Sequence, residues 1–378
     1  MRVLWISKAS VTKAFRRKIA LLHKKGVEIG VVTGPFWDHW MFEPEDAEQT
    51  YPIFILSQRL AGYNHFHWYR GLNDAISQFK PNLLHIDEEH YSLVTTQAVT
   101  LAKAHHVPAI FQSWQNIYKH YPLPFSIMEQ YVFHYCLAAI AGNSEVKMVL
   151  RKKGFQKPIS VIGLGVDTSQ FYPDKPSTFR NELHLNDRWV IGFVGRLVPE
   201  KGVLDLLHAV QPILKGHPQL HCVIAGHGPL RQQVQQFIDT FHLSSQVSLL
   251  PWVDPQHMPQ LMNAFDVLVT PSSSTDKWKE QFGRVIIEAM SVGIPVIGSS
   301  SGEIPHVIGE GGIIFPEKDI PQLRKAILTL YHNPDSYQAI ASAAYNRAIN
   351  YLSQDHVANQ ILEFYHGLPI DESRHNSK

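Results

Sequence analysis

Apolar residues along the first half of the chain recur in short runs, several of them followed by a stretch with helical spacing. Val3–Ile6 precedes a helical pattern over Thr12–Lys25, and Ile29–Val32 is a second short run. Leu83–Ile86 precedes Leu93–Ala104, Ala109–Phe111 follows, and Leu137–Ala141 precedes Glu145–Lys153. Strand-length runs alternating with helix-length patterns predict a parallel sheet covered by helices, because each parallel pair needs a crossover that returns over the sheet. From Gly163-Leu-Gly-Val-Asp167 through Pro173 and Pro176 to Asp187 the apolar period fades and turn formers dominate, so residues 166–187 are expected to link two domains. The pattern then restarts: strands at Val190–Val194, Leu220–Ala225, Val247–Leu250, Val267–Val269 and Pro295–Ile297, helices near Val203–Leu214, Pro229–Phe241 and Gly283–Val292. Helical patterns at Pro321–Tyr331, Ser336–Tyr351 and Gln354–Tyr365 close the chain.

The expected fold is therefore α/β, with two doubly wound Rossmann-like domains, 1–165 and 188–350, facing each other across a cleft. A last helix within 351–370 is expected to pack back on the first domain, and residues 371–378 to form a polar, disordered tail. Ligands are expected outside the carboxyl ends of the strands.

A length of 378 residues supports two cores, and 44% hydrophobic with 18% charged residues is ordinary for a globular protein. Cys136 and Cys222 both sit in apolar runs, which predicts reduced core thiols, and with no leader-like or membrane-spanning run the expected location is the cytoplasm. The net charge of +1 hides an asymmetry: through Ser160 there are 18 Lys+Arg against 12 Asp+Glu, and beyond it 16 against 21. The basic half suits an anionic surface or acidic acceptor, but without a dense basic stripe interleaved with aromatics no nucleic-acid partner is expected. The pattern Thr12–Lys25 surrounds Phe15, Ile19 and Leu22 with Lys13, Arg16, Arg17, Lys18, Lys24 and Lys25. It reads first as a sheet-packing amphipathic helix with a solvated basic face, and second as a peripheral contact with anionic membrane on its cytoplasmic side.

Candidate chemistry concentrates in the second half. Gly195-Arg196 and Lys201-Gly202 put two cations five residues apart after a strand, an arrangement suited to a diphosphate: a planar fork of donors and a mobile point charge. Gly226, in Ala225-Gly-His-Gly-Pro229, allows close backbone approach after the next strand. Glu280 and Glu288 flank a loop-to-helix junction at which the amides near Gly283, Arg284 and Val285 form a helix N-terminus that favours phosphate. At about 100° per residue, a helical separation of eight brings the two carboxylates within roughly 80° of each other, two turns apart along the axis. Glu280 would hold sugar hydroxyls and Glu288 ribose hydroxyls.

In this order, Gly195-Arg196, Lys201-Gly202, Ala225-Gly-His-Gly-Pro229, Glu280 with Glu288, Glu288-Ala-Met290, Gly293-x-Pro-Val296 and Gly302-Glu-Ile-Pro305 resemble the donor-binding half of the family-four retaining glycosyltransferases, which have the GT-B fold. The resemblance spans Val190–Ala326 and extends more weakly back to Glu145. It implies transfer of a hexosyl-type sugar from a UDP- or GDP-sugar, with retention and with no metal or other cofactor. Arg196, Lys201 and Glu280 would be the catalytic set. Gly195, Gly226, Trp252, Val253, Phe282, Gly283, Arg284, Val285 and Glu288 would complete the donor site, with the base against the backbone around Trp252-Val253. The acceptor implied is a sugar, a lipid-linked saccharide or another small molecule, as in polysaccharide synthesis.

The first half departs from that family. Lys8-Ala-Ser-Val-Thr12 stands where many members carry glycines, and Gln112-Ser-Trp-Gln-Asn116 where many place a histidine, so no catalytic histidine is assigned. Gln112, Gln115 and Asn116 are candidate acceptor contacts, with a packed aromatic loop as the alternative. Within His85-Ile-Asp-Glu-Glu-His90, Asp87 and Glu88 are candidate acceptor contacts against plain ion-pairing roles, and a metal site is not expected there. Other readings of the whole chain are a non-catalytic nucleotide-sugar-binding subunit, or an epimerase or phosphorylase of the same architecture. A dinucleotide-dependent dehydrogenase is disfavoured, because the glycine fingerprint after the first strand is missing.

Overall fold

The structure, a computed structural model, describes residues 1–44, 50–63, 65–174 and 177–370, so the 371–378 tail lies outside the described residues. The chain divides into two compact units, Met1–Gly163 with Gln354–Lys378, and Leu164–Ser353.

The first unit is a seven-stranded parallel sheet of β1 (Arg2–Ile6), β2 (Glu28–Thr33), β3 (Ile53–Ile55), β4 (Leu83–Ile86), β5 (Ala109–Ser113), β6 (Ala138–Ala141) and β7 (Ile159–Val161), in the order β7-β6-β5-β4-β1-β2-β3. Strands β1, β4, β5 and β6 are buried nearly throughout, which is why they read as mainly apolar runs. Helices α1 (Lys13–Lys24), α2 (Leu72–Phe79), α3 (Leu93–Ala104), α4 (Phe125–Tyr135) and α5 (Ser144–Lys152) cover the two faces; Ser92 caps α3 and Asn143 caps α5 by accepting from Thr95 N and Val146 N. The last helix, Gln354–His366, lies in the core with α1: Val357, Ile361 and Tyr365 pack among Ile19, Leu22 and Ile29, and Tyr365 Oη meets His85 Nδ1 at 2.6 Å. Burial pushes the His85 imidazole down to about 3, so it is neutral at physiological pH.

Part of the expected basic face of α1 is engaged inside this unit. Arg16 is buried, donating to Ser10 O at 2.6 Å and Glu43 O at 2.5 Å; Lys18 reaches Asp87 at 3.5 Å and lies over Trp5; Lys25 pairs with Asp355 at 2.9 Å. Lys24 remains exposed on this helix, and Lys13 and Arg17 are half-buried. No helix among the described residues is long and apolar enough to cross a membrane.

The second unit is a six-stranded parallel sheet of β8 (Trp189–Val194), β9 (Leu220–Ala225), β10 (Val247–Leu250), β11 (Val267–Thr270), β12 (Val296–Ser299) and β13 (Gly312–Phe315), in the order β10-β9-β8-β11-β12-β13. The strand order reverses between β8 and β11, as it does between β1 and β4 in the first unit, and such switch points are where open α/β sheets bind ligands. Helices α6 (Thr178–Glu182), α7 (Val203–Leu214), α8 (Arg231–Thr240), α9 (Met258–Asn263), α10 (Arg284–Ser291), α11 (Ile304–Ile308), α12 (Ile320–His332) and α13 (Pro334–Tyr351) complete the unit. The described part of 166–187 packs onto it rather than running free: Ser177 Oγ donates to Gln260 O at 2.5 Å, Arg180 pairs with Asp266, and Asn263 Nδ2 donates to Tyr172 O at 3.0 Å. Cys136 and Cys222 are free and buried, and burial pushes both thiols up to about 12.

Candidate active site

Four connections leave the carboxyl ends of β8, β9, β10 and β11, and they carry most of the residues singled out in the sequence. After β8 the chain makes a short turn of helix at Pro199–Lys201 and then Gly202, at φ 68°; a Cβ there would stand 2.0 Å from Pro271 O, so only glycine lets the β8 connection lie against the one after β11. That contact brings Lys201 to Glu280. Lys201 Nζ donates to Glu280 Oε2 at 2.5 Å and lies 5.2 Å from the Trp278 ring centre, while Ser272 Oγ donates to the same carboxylate oxygen at 3.2 Å. Glu280 is 9% exposed. Its carbonyl accepts from Glu303 N at 3.1 Å, and a Cβ on Gly302 would stand 2.1 Å from that same carbonyl oxygen, which accounts for the glycine in Gly302-Glu-Ile-Pro305. A lysine ammonium has three donors, and the contact with Glu280 uses one, so the ammonium is oriented without being consumed.

Arg196 is exposed just past the end of β8. Gly195 N donates to Ala225 O at 3.1 Å, and a Cβ on Gly226 would fall 1.9 Å from Gly195 O, so the first two connections touch through their glycines. Arg231 ties the next pair, donating to Gly226 O at 3.3 Å and Leu250 O at 2.9 Å, just ahead of Trp252 and Val253. Trp252 is 54% exposed.

Helix α10 opens at Gly283, at φ 83°, with no side-chain cap on its first amides, which belong to Arg284 and Val285. Unpaired N–H groups and the helix dipole make this an anion-favouring end. Phe282 is buried beside it. Because α10 begins only at Arg284, Glu280 lies in the preceding loop, and the angular argument for a helical separation of eight does not apply. Glu288 faces back along α10 to Arg284 Nε at 3.5 Å with its side chain 13% exposed; burial pushes its carboxyl up to about 7, opposed by the Arg284 charge.

The first-unit candidates are divided. Glu88 accepts from Lys8 N and from Lys8 Nζ, both at 2.8 Å, and Asp87 accepts from Ser7 Oγ at 3.3 Å and Lys18 Nζ at 3.5 Å. Gln112 is buried on β5; Gln115 Nε2 donates to Ile117 O at 2.8 Å, and Asn116 Nδ2 to Glu145 Oε2 at 3.1 Å. His85 and His90 turn to Tyr365 and Glu129, and among the described residues no three His, Cys, Asp or Glu side chains gather as metal ligands. Ser272 and Trp278 around the Lys201–Glu280 pair were not anticipated. A serine and a tryptophan lying close before the glutamate in sequence were the available signal.

Two parallel sheets of this order define the GT-B class of glycosyltransferase fold. HepE of Anabaena, in a solved complex with UDP, has the same fold at TM-score 0.75 and 19% identity, over 97% of this chain and all of that one. Residues 174–347 match the glycosyl transferases group 1 family. It is 28% identical over 217 residues to spore coat protein SA of Bacillus subtilis, covering 53% of this chain and 56% of that one. It is 28% identical over 218 residues to a D-inositol 3-phosphate glycosyltransferase of Rhodococcus jostii, covering 55% and 47%. The chain spans about half the length of the curated relatives it matches.

Proposed function

We propose that this protein is a retaining glycosyltransferase that moves a hexosyl-type sugar from a UDP- or GDP-sugar, without a metal, to an acceptor held by the first unit. The observation that carries the proposal is the Lys201–Glu280 pair beside the switch point of the second sheet, with uncapped amides at the start of α10. Arg196 and Lys201 neutralise the charge that develops on the departing diphosphate, Glu280 holds hydroxyls of the transferred sugar, and Glu288 the ribose. Trp252, Val253 and Gly226 border the base and phosphate. No carboxylate is assigned as a nucleophile, so the acceptor oxygen attacks from the face the diphosphate leaves, and that phosphate takes the acceptor proton. HepE, whose solved complexes include one with UDP-glucose, supports this donor class. The proposed setting is cytoplasmic saccharide synthesis.

Uridine, guanosine and adenosine diphosphates, each at a hundredfold excess over Kd, distinguish the bases: a ligand bound only by the folded state adds about 2.7 kcal/mol. The uridine or guanosine compound should raise Tm, with nucleotide release from the matching sugar donor depending on acceptor. No Tm shift with any of the three would reject the donor site.

Glu288 adds a pH dependence. Its folded pKa, about 7, lies above the free value of 4.5, so the native state holds the extra proton between them; this group's contribution to stability falls as pH rises through that window and is level above it. Ribose hydroxyls donate best to the ionised carboxylate, so donor affinity should rise with pH through about 7. Titrating affinity in Glu288→Gln separates this from ionisation of the phosphate, because the variant should retain only the latter. An identical pH profile in both proteins would remove Glu288 from the site.

A further inference from the structure

Consecutive serines follow β11 in Pro271-Ser-Ser-Ser274, and each is tied to a different connection at the carboxyl edge of the second sheet. Ser272 O accepts from Ser299 Oγ, at the end of β12, at 2.5 Å, while Ser272 Oγ donates to Glu280 Oε2 at 3.2 Å. Ser273 N donates to Glu200 O at 2.8 Å, next to Lys201. Ser274 is held by Glu317, just past the end of β13: its N–H donates to Glu317 Oε2 at 2.6 Å and its hydroxyl to Glu317 Oε1 at 2.7 Å. Because the hydroxyl proton of Ser274 goes to the carboxylate, Ser301 is the donor in the 2.9 Å contact between the two serine oxygens, and the chain of bonds runs from Ser301 through Ser274 to Glu317. Ser299 and Ser301 are fully buried, so this chain is anchored in the body of the unit.

A half-buried serine in a loop can satisfy its N–H and hydroxyl with water or a carbonyl. A carboxylate that gives both oxygens to one serine adds two short charge-assisted bonds in a fixed fork, and with them a fixed position for the loop. Two residues back, the same loop presents the hydroxyl that holds Glu280. Side chains that bind a substrate productively must be held within about 0.5 Å by such supporting contacts.

We infer that Glu317 is a positioning residue for the sugar of the donor: by fixing Ser274 it sets where Ser272 holds Glu280, and it does not touch the sugar. The inference rests on the transferase reading above, which gives the sugar hydroxyls to Glu280. The nucleotide contacts given there to Arg196, Trp252 and Glu288 lie outside the serine segment, so the effect of Glu317 falls on the sugar and spares the nucleotide.

The test is calorimetric titration of the full chain with UDP and GDP, and with UDP-glucose, UDP-galactose, UDP-N-acetylglucosamine and GDP-mannose. The donor that the parent binds most tightly, and its diphosphate, are then carried to the variants. Glu317→Ala should weaken the nucleotide sugar by about tenfold, the worth of one charge-assisted hydrogen bond, while the diphosphate binds as it does to the parent. Glu317→Gln should restore the sugar affinity, because its carbonyl accepts from Ser274 N and its amide donates to the serine oxygen. Ser274→Ala removes only the hydroxyl half of the anchor; it should act in the same direction by less, and it remains informative if Glu317→Ala folds poorly. The double variant should lose less than the two single variants summed, since the pair acts as one anchor. The inference is overturned if Glu317→Ala and Ser274→Ala both bind the nucleotide sugar as the parent does, if they weaken diphosphate and nucleotide sugar equally, or if Glu317→Gln is no better than Glu317→Ala. A parent that binds neither diphosphate would instead bring down the transferase reading, and this inference with it.

Discussion

Replacing Lys201 with alanine is expected to lower turnover of the sugar donor by about 10²–10³-fold, the usual effect of removing one preorganised electrostatic donor. The lysine sits between a 2.5 Å contact with Glu280 and the face of Trp278, so its ammonium is oriented before a diphosphate arrives and needs little reorganisation as charge builds on the leaving group. An interaction that strengthens toward the transition state shows chiefly in kcat, so KM for the donor should move much less. The same substitution removes the cation from Glu280 while Ser272 still donates to it. Glu280→Gln in the Lys201→Ala background should therefore cost far less than Glu280→Gln alone, since side chains acting as a unit are not additive. Single-turnover and steady-state kinetics on the four proteins supply the cycle. Near-native kcat in Lys201→Ala would defeat the assignment of this site, and full additivity would defeat the coupling of the pair.

The second unit was legible because its inner strands are buried nearly throughout and its motif residues lie in short connections. Val267–Val269 and Val296–Ser299 can hardly be read as anything but inner strands. The contact between Lys201 and Glu280 spans 79 residues of sequence, and no local pattern encodes it; only family resemblance pointed to it. In the first unit, the hairpin strands Phe36–Trp37 with Trp40–Met41 and Gln58–Arg59 with Trp68–Tyr69 are two residues each, too short for a period-2 signal, and β3 is a three-residue edge strand. These short strands were consequently invisible. Charge counting failed in a similar way at α1, because a tally of lysines and arginines cannot tell a solvated cation from Arg16, 1% exposed among backbone carbonyls. At Asp87 and Glu88 the three adjacent acids advertised a charged loop, but not that Lys18 and Lys8 take up two of them.

Lys153→Met is expected to produce the largest loss of stability in the first unit, about 3–5 kcal/mol, because it removes one partner from a buried ion pair. Lys153 Nζ meets Glu129 Oε1 at 2.8 Å, with the two side chains 4% and 7% exposed, and the same oxygen is 3.0 Å from His90 Nε2. Burial alone would raise the Glu129 pKa, but the hydrogen bonds from His90 and Lys153 and their charges outweigh it and hold the carboxyl below its free value of 4.5. Its contribution is thus fully present above 4.5 and is lost as pH falls toward the folded value, so this network favours acid unfolding. Without Lys153 the carboxyl loses a stabilising partner, and the acid transition should move to higher pH. The exposed pair Lys25–Asp355 provides the contrast, with side chains 25% and 59% exposed: Lys25→Met should cost no more than about 1 kcal/mol. Urea unfolding between pH 4 and 8, followed by hydrogen exchange on α4 and α5 so that the first unit is read separately from the second, measures both. Adding Glu129→Leu to Lys153→Met should recover much of the loss, since an absent charge needs no partner. If Lys153→Met were no worse than Lys25→Met, the carboxylate would have to be satisfied by His90 alone, and the ion pair would not be what holds this part of the unit together.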